Sequence, residues 1–198
     1  MADIIHLIRH GEHALLGRML CGRMAGIGLD DFGRQQMAAC ASRLSPSPSM
    51  IQSSPRLRAL QSANILAEPF RLPVEVVSDM DEIDVGDWTS ASFAELDRDP
   101  HWQRWNARRS STAPPNGESM QALQVRAVRH LMNLAREAPC QVVAIVSHAE
   151  PIRAALLHFA GIPLDDFLSI EVAPASISTL TRDRGRLRVV EINQKVPA

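Results

Sequence analysis

Arg9-His10-Gly11-Glu12 sets a guanidinium, an imidazole, a glycine and a carboxylate side by side, directly after the apolar run Ile4, Ile5, Leu7 and Ile8. That run reads as a buried strand, so the polar tetrad begins where the strand should stop. Chemistry in open α/β sheets collects just beyond the carboxyl ends of the strands. A guanidinium binds phosphate oxygens through paired donors, and a glycine lets the backbone approach closely. Three further segments place reactive groups past predicted strand ends: Ser53-Ser54-Pro55-Arg56-Leu57-Arg58-Ala59, Asp81-Glu82-Ile83-Asp84-Val85-Gly86-Asp87-Trp88, and Ser147-His148-Ala149-Glu150-Pro151. Two histidines, several arginines and a carboxylate can therefore meet in one cleft, and phosphoryl transfer is the chemistry they fit.

The elements that must position them follow from pattern. Residues 3–9 form a first strand, and the segment 13–29, carrying Gly17, Gly22, Gly26 and Gly28, is a loop over its end. Asp30 caps a helix from Asp31 to Leu44, stopped by Ser45-Pro46-Ser47-Pro48. Met50 to Ser53 is a second strand. Ser54 and Pro55 read as cap and first residue of a helix through Glu68, and Val74 to Val77 is a third strand. Residues 79–117, with acidic, tryptophan and proline signals, form an inserted region over the top of the sheet, with Trp102 and Trp105 as its packing anchors. Glu118 to Glu137 is the longest helix, its Met120, Leu123, Ala127, Leu131 and Leu134 recurring at core spacing. Val142 to Ser147 is a strand buried on both faces, and Pro151 opens another helix. Strands near 168–172, 175–181 and 187–192 close the chain, the last two joined at Asp183-Arg184-Gly185. The expected fold is a three-layer α/β/α sandwich with a mainly parallel sheet and an antiparallel edge, a single domain over residues 1–198.

Composition removes several alternatives. A formal net charge of -1 gives no bulk attraction for nucleic acid or an acidic membrane. Lys195 is the only lysine, so no P-loop can be built. Cys21, Cys40 and Cys140 are odd in number and widely spaced, which argues against a disulfide framework and a structural zinc site. The N-terminal apolar run is interrupted by His6 and Arg9, unlike a signal peptide, and no stretch reaches the length of a membrane span. A cytoplasmic protein is expected. His10, Glu12 and His13 lie close together, but H-x-E-H is not the helical H-E-x-x-H of zinc hydrolases, and Gly26-Ile27-Gly28 falls too late for a dinucleotide fingerprint.

The four segments together resemble the histidine phosphatase superfamily, also called phosphoglycerate-mutase-like. Its pattern is an N-terminal RHGE, an S-S-x-x-x-R-A segment, an E-x-x-x-G-x-W segment and a late S-H, and all four occur here in that order. The resemblance implies that His10 is a nucleophile forming a phosphohistidine. It implies that Arg9, Arg58 and His148 bind the phosphoryl oxygens, and that Glu82 is the proton donor. It implies neither metal nor cofactor, and a small phosphorylated substrate as the partner. His13 and Arg23 are candidate specificity contacts. Glu12 either binds substrate or braces the pocket, and Ala149 stands where S-H-G is usual.

The sequence departs from the family pattern at His13-Ala14-Leu15-Leu16 after RHGE, at Trp88-Thr89-Ser90 in place of W-E-G, and at Ala149. The first two lie where substrate identity is decided. Together with the chain's length they favour the phosphatase branch. The leading expectation is a metal-independent phosphomonoester hydrolase working through phosphohistidine on His10. The alternatives are phosphoglycerate mutase or a related phosphomutase, and a phosphate-binding regulatory protein without turnover.

Overall fold

A computed structural model describes residues 4–137, 141–183 and 185–195. Six strands form one sheet in the order β3-β2-β4-β1-β5-β6. They are β1 (Ile4–Arg9), β2 (Met50–Ser53), β3 (Val74–Val76), β4 (Val142–Ser147), β5 (Ile177–Asp183) and β6 (Arg186–Gln194). β3, β2, β4 and β1 run parallel, while β5 pairs antiparallel with β1, and β6 with β5. This is the expected sandwich with its antiparallel edge. Arg184, within the expected hairpin turn, lies outside the described residues, as do Asp3 and Cys140.

Strand alternation separates the two faces of the sheet. Ile5, Leu7, Val143 and Ile145 point into a core with the helices α5 (Met120–Glu137) and α6 (Ala149–Ala160). Ile8, Ile51, Ala144 and Val146 point into a second core with α1 (Asp31–Ala41) and α2 (Leu57–Ala67). Successive residues of a strand face opposite sides, so a run of β-branched and aliphatic residues supplies both layers at once. Residues 79–117 hold two short helices, α3 (Phe93–Leu96) and α4 (Pro100–Ala107), and 3-10 turns at Ser78–Met80 and Gly86–Trp88. They pack onto the α5/α6 side through Trp88, whose ring meets those of His101, Trp102 and Trp105 at centroid distances of 5.2, 5.3 and 5.5 Å.

Two expectations fail for instructive reasons. The segment 168–172 is not a strand. Leu164–Ser169 is a 3-10 helix, and beyond it the carbonyls of Ile170 and Val172 accept hydrogen bonds from Arg153 and Arg9 side chains, at 2.7 Å each. Ile170 and Val172 are buried in alternation, which mimics a strand, but this backbone serves arginines instead of a ladder. Likewise Ser54 and Pro55 do not start a helix. α2 begins at Leu57 with Arg56 in the cap position and extended, because the Ser54 hydroxyl is engaged by His148 and Asp81. Smaller differences are at element ends: α1 stops at Ala41 and α5 starts at Met120.

The loop after β1 meets α1 backbone to backbone. A Cβ added to Gly11 would lie 2.3 Å from the Gly33 carbonyl oxygen, and one added to Gly33 would lie 2.1 Å from that of Glu12. Neither contact is a flexible side chain that could swing aside. Gly33→Ala is therefore expected to destabilise the fold by about 1–3 kcal/mol, read as a lowered denaturant midpoint with unchanged m. A midpoint equal to wild type would mean that the strand end and α1 separate at little cost.

Candidate active site

The carboxyl ends of three parallel strands converge. His10 follows β1, Ser54 follows β2 and His148 follows β4. The strand pairing continues into the site: His10 N donates to Ser147 O at 3.0 Å, and Ser54 N to Val146 O at 2.9 Å. These bonds hold the His10 and His148 rings 5.1 Å apart, inclined at 64°.

His10 Nδ1 lies 2.7 Å from Gly11 O, an acceptor only, so Nδ1 carries the proton and Nε2 the lone pair. Arg58 Nε, 3.3 Å away, donates to that lone pair. Burial, and then Arg58 and Arg9, hold the His10 imidazole well below the usual histidine range. It is neutral, with Nε2 unprotonated. Burial acts first on His13 too, with Arg58 and Arg9 behind it, and brings that imidazole down to about 4. The His13 ring is 5.5 Å from that of His10.

Around His10 lies an excess of nitrogen without partners. Arg9 Nε, Arg58 Nη1, His13 Nδ1 and His148 Nδ1 are buried and lack hydrogen bonds. Their side chains are held by other bonds: Arg9 Nη1 donates to Val172 O and Arg58 Nη2 to Gly22 O, both at 2.7 Å. Among the described residues, neither Arg9 nor Arg58 forms an ion pair with a carboxylate. Buried guanidinium groups without counter-ions are costly in an otherwise well-bonded interior. An anion with several acceptor oxygens is the ligand that satisfies them.

Asp81, itself buried, organises the far side. Its Oδ1 accepts from the Ser54 hydroxyl at 3.2 Å, from Arg56 Nε at 2.8 Å and from Glu82 N at 2.8 Å, while Oδ2 accepts from Arg56 Nη2 at 2.7 Å. With its proton committed to Asp81, Ser54 Oγ accepts from His148 Nε2 at 2.7 Å. The orphan Nδ1 of His148 is then unprotonated and lies 3.8 Å from Glu82 Oε2. Burial, followed by Arg58, His10 and Arg9, keeps His148 well below its ordinary range. Glu82 moves the other way, raised to about 7 by burial and then by Glu150, against the opposing pull of Arg58. The site thus holds three neutral imidazoles and a carboxyl group that is part-protonated near neutrality.

Arg9, His10, His13, Arg58, Glu82 and Ala149 all line a cavity of about 240 Å³. Three of the sequence candidates do not, and of these His148 is fully buried and meets the site through Ser54 and the His10 ring. Glu12 exchanges hydrogen bonds with Gln36, its amide N donating at 2.9 Å and its Oε1 accepting at 3.0 Å, so it braces the loop. Arg23 lies behind Glu82, donating to its carbonyl at 2.8 Å and to Glu118 Oε2 at 3.0 Å. Beside Glu150, which stands in the segment after β4, three residues that the sequence did not single out, Arg109, Arg153 and Phe167, line the outer cavity. No local motif marks them, because they meet only when the 79–117 segment folds over α6.

The sequence and the fold have counterparts in known proteins. The chain belongs to the histidine phosphatase superfamily (branch 1), whose sequence profile matches residues 5–195. A bifunctional protein of Mycobacterium tuberculosis is 32% identical over 153 residues, or 76% of this chain and 42% of that protein. The chain therefore spans less than half the length of this relative. Phosphoserine phosphatase 1 of Hydrogenobacter thermophilus is 28% identical over 193 residues, covering 94% of this chain and 90% of that one. Among solved structures, a mycobacterial glucosyl-3-phosphoglycerate phosphatase is similar with a TM-score of 0.87 at 25% identity, covering 98% of this chain and all of the other. Among the described residues, no helix is long and apolar enough to cross a membrane.

Proposed function

We propose that this chain hydrolyses phosphomonoesters through a phosphohistidine formed on Nε2 of His10. The observation that carries the reading is the unprotonated His10 Nε2 among buried, unpartnered nitrogens of Arg9, Arg58, His13 and His148. The names of two relatives, phosphoserine phosphatase and glucosyl-3-phosphoglycerate phosphatase, support a small phosphorylated substrate.

The phosphoryl group takes the place of the missing hydrogen-bond partners. Its charge is spread over the equatorial oxygens in a loose transition state, so fixed positive donors supply most of the stabilisation. His10 Nε2 forms the bond to phosphorus as the bond to the leaving oxygen breaks. Glu82, protonated, gives its proton to that oxygen and releases an alcohol. The resulting carboxylate takes a proton from water, whose oxygen attacks the phosphohistidine, and inorganic phosphate leaves with His10 neutral again. Two steps of moderate barrier replace one difficult hydrolysis. A bound dianion also reverses the field at His148, favouring a proton on Nδ1 to donate to a phosphoryl oxygen.

Phosphate release from aryl, sugar, amino-acid and nucleotide phosphates in the presence of a chelator tests this, combined with rapid quenching of a labelled substrate. Chelator-resistant release and an acid-labile, base-stable phosphoprotein are expected. Chelator-sensitive release, or an acid-stable phosphoenzyme, would overturn the phosphohistidine route.

A further inference from the structure

The cavity has two unlike halves. The inner half holds the nitrogens around His10. The outer half is walled by Leu16, Met19, Leu20, Phe93, Phe167 and Leu168. Leu168, 79% exposed, stands at the rim of this wall and continues it to the surface. Leu16, Met19 and Leu20 lie half-buried on the loop that follows the RHGE segment. That loop is where the sequence leaves its family's usual pattern.

The two guanidinium groups of the outer half share one carboxylate and are otherwise held by neutral acceptors and aromatic rings. Glu150 Oε2 lies 3.4 Å from Arg109 Nη1, and Glu150 Oε1 lies 3.6 Å from Arg153 Nη1. Arg109 Nη2 donates to Asn106 Oδ1 at 2.6 Å, and Arg153 Nε to Ile170 O at 2.7 Å. Both guanidinium groups rest on the Phe167 ring, at 4.2 and 4.4 Å, and Arg109 also lies 3.3 Å from the Trp105 ring centroid. Arg109 keeps one buried nitrogen, Nε, without a partner. A single buried donor suits one neutral acceptor. It does not supply the paired donors that hold a carboxylate or a second phosphate.

We infer that the outer cavity is a subsite for an apolar or aromatic leaving group, so that the substrate is a phosphomonoester of a hydrophobic alcohol or phenol and not a small polyanion. The inference deepens the phosphomonoesterase reading and rests on it for the identity of the inner half. Burial of each added methylene against this wall strengthens binding by about two- to fourfold until the wall is covered.

The test is to measure by calorimetry the Kd of n-alkylphosphonates of increasing chain length, alongside kcat/KM for the matching alkyl phosphates. Phosphonates cannot be hydrolysed, so they report the subsite without turnover. A steady fall in Kd with chain length is expected, and Leu168→Asp should flatten it. Leu168 is on the surface, so that variant folds. A flat series, or 2-carboxyethylphosphonate binding tighter than butylphosphonate, would overturn the subsite. A sloping phosphonate series without hydrolysis of any alkyl phosphate would uphold the subsite and remove the hydrolase reading.

Discussion

Replacing His10 with alanine is expected to lower turnover of every phosphomonoester by ~10³-fold or more, because the bond-forming atom is lost. The loss should be confined to chemistry. Arg58 loses its 3.3 Å bond to His10 Nε2, but all three anion-facing side chains keep other ties: Arg9 to Val172 O, Arg58 to Gly22 O and His148 to Ser54. Inorganic phosphate should therefore bind His10→Ala with a Kd within about tenfold of wild type, while the quenched phosphoprotein disappears. Folding should be retained, since the His10 ring is held neutral between two guanidinium groups and contributes no ion pair. Residual turnover within tenfold of wild type would assign the nucleophile to another group. Loss of phosphate binding along with turnover would make His10 a contact for the anion instead.

Most of the fold was legible because both sources of regularity are strong. β4 is a near-continuous apolar run, β1 is apolar but for His6 and its last residue Arg9, and α5 repeats its core residues at helical spacing, so tertiary context had little to override. The site was legible for a different reason. Arg9, His10, Arg58, Glu82 and His148 each stand within six residues of a strand's carboxyl end, and strand ends in such a sheet meet without further information. What stayed hidden depends on side chains that reach across the fold. Ser54 looks like a helix cap from its neighbours, and only the approach of β4 gives its hydroxyl to His148. Ile170 and Val172 look like a strand until two arginines take their carbonyls. Arg23 carries the right charge for a substrate contact, but Asp81, Asp84 and Glu118 lie within 4.0 Å of its guanidinium and hold it outside the cavity. Arg109 sits on an unremarkable stretch of α4's flank and enters the site through Trp105, which is itself buried.

Glu82→Gln should separate the two halves of the reaction by leaving group. Alkyl phosphates release a strongly basic alkoxide and need a proton as the bond breaks, so kcat/KM for them should fall by ~10²–10⁴-fold. Aryl phosphates release a stable phenoxide, and their loss should stay within about tenfold. The pH dependence follows from the raised Glu82 carboxyl, at about 7 against 4.5 for an ordinary glutamate. The acid form is the active one for leaving-group protonation, so wild-type kcat/KM on alkyl phosphates should decline as pH rises through about 7, and the variant should lose that limb. The same shift acts on stability with a defined sign. Between about 4.5 and about 7 the folded chain keeps a proton that the unfolded chain has released, so stability is complete below that window and declines across it. Glutamine carries no charge to bury, and Glu82→Gln should therefore match wild type near pH 4 and exceed it near pH 8 by up to about 3 kcal/mol. A variant that is slower on alkyl phosphates yet more resistant to denaturant at high pH cannot owe its defect to misfolding. Equal losses on alkyl and aryl phosphates would take the proton-donor role from Glu82, and Glu150, the carboxylate that helps to raise it, would be the next group to replace.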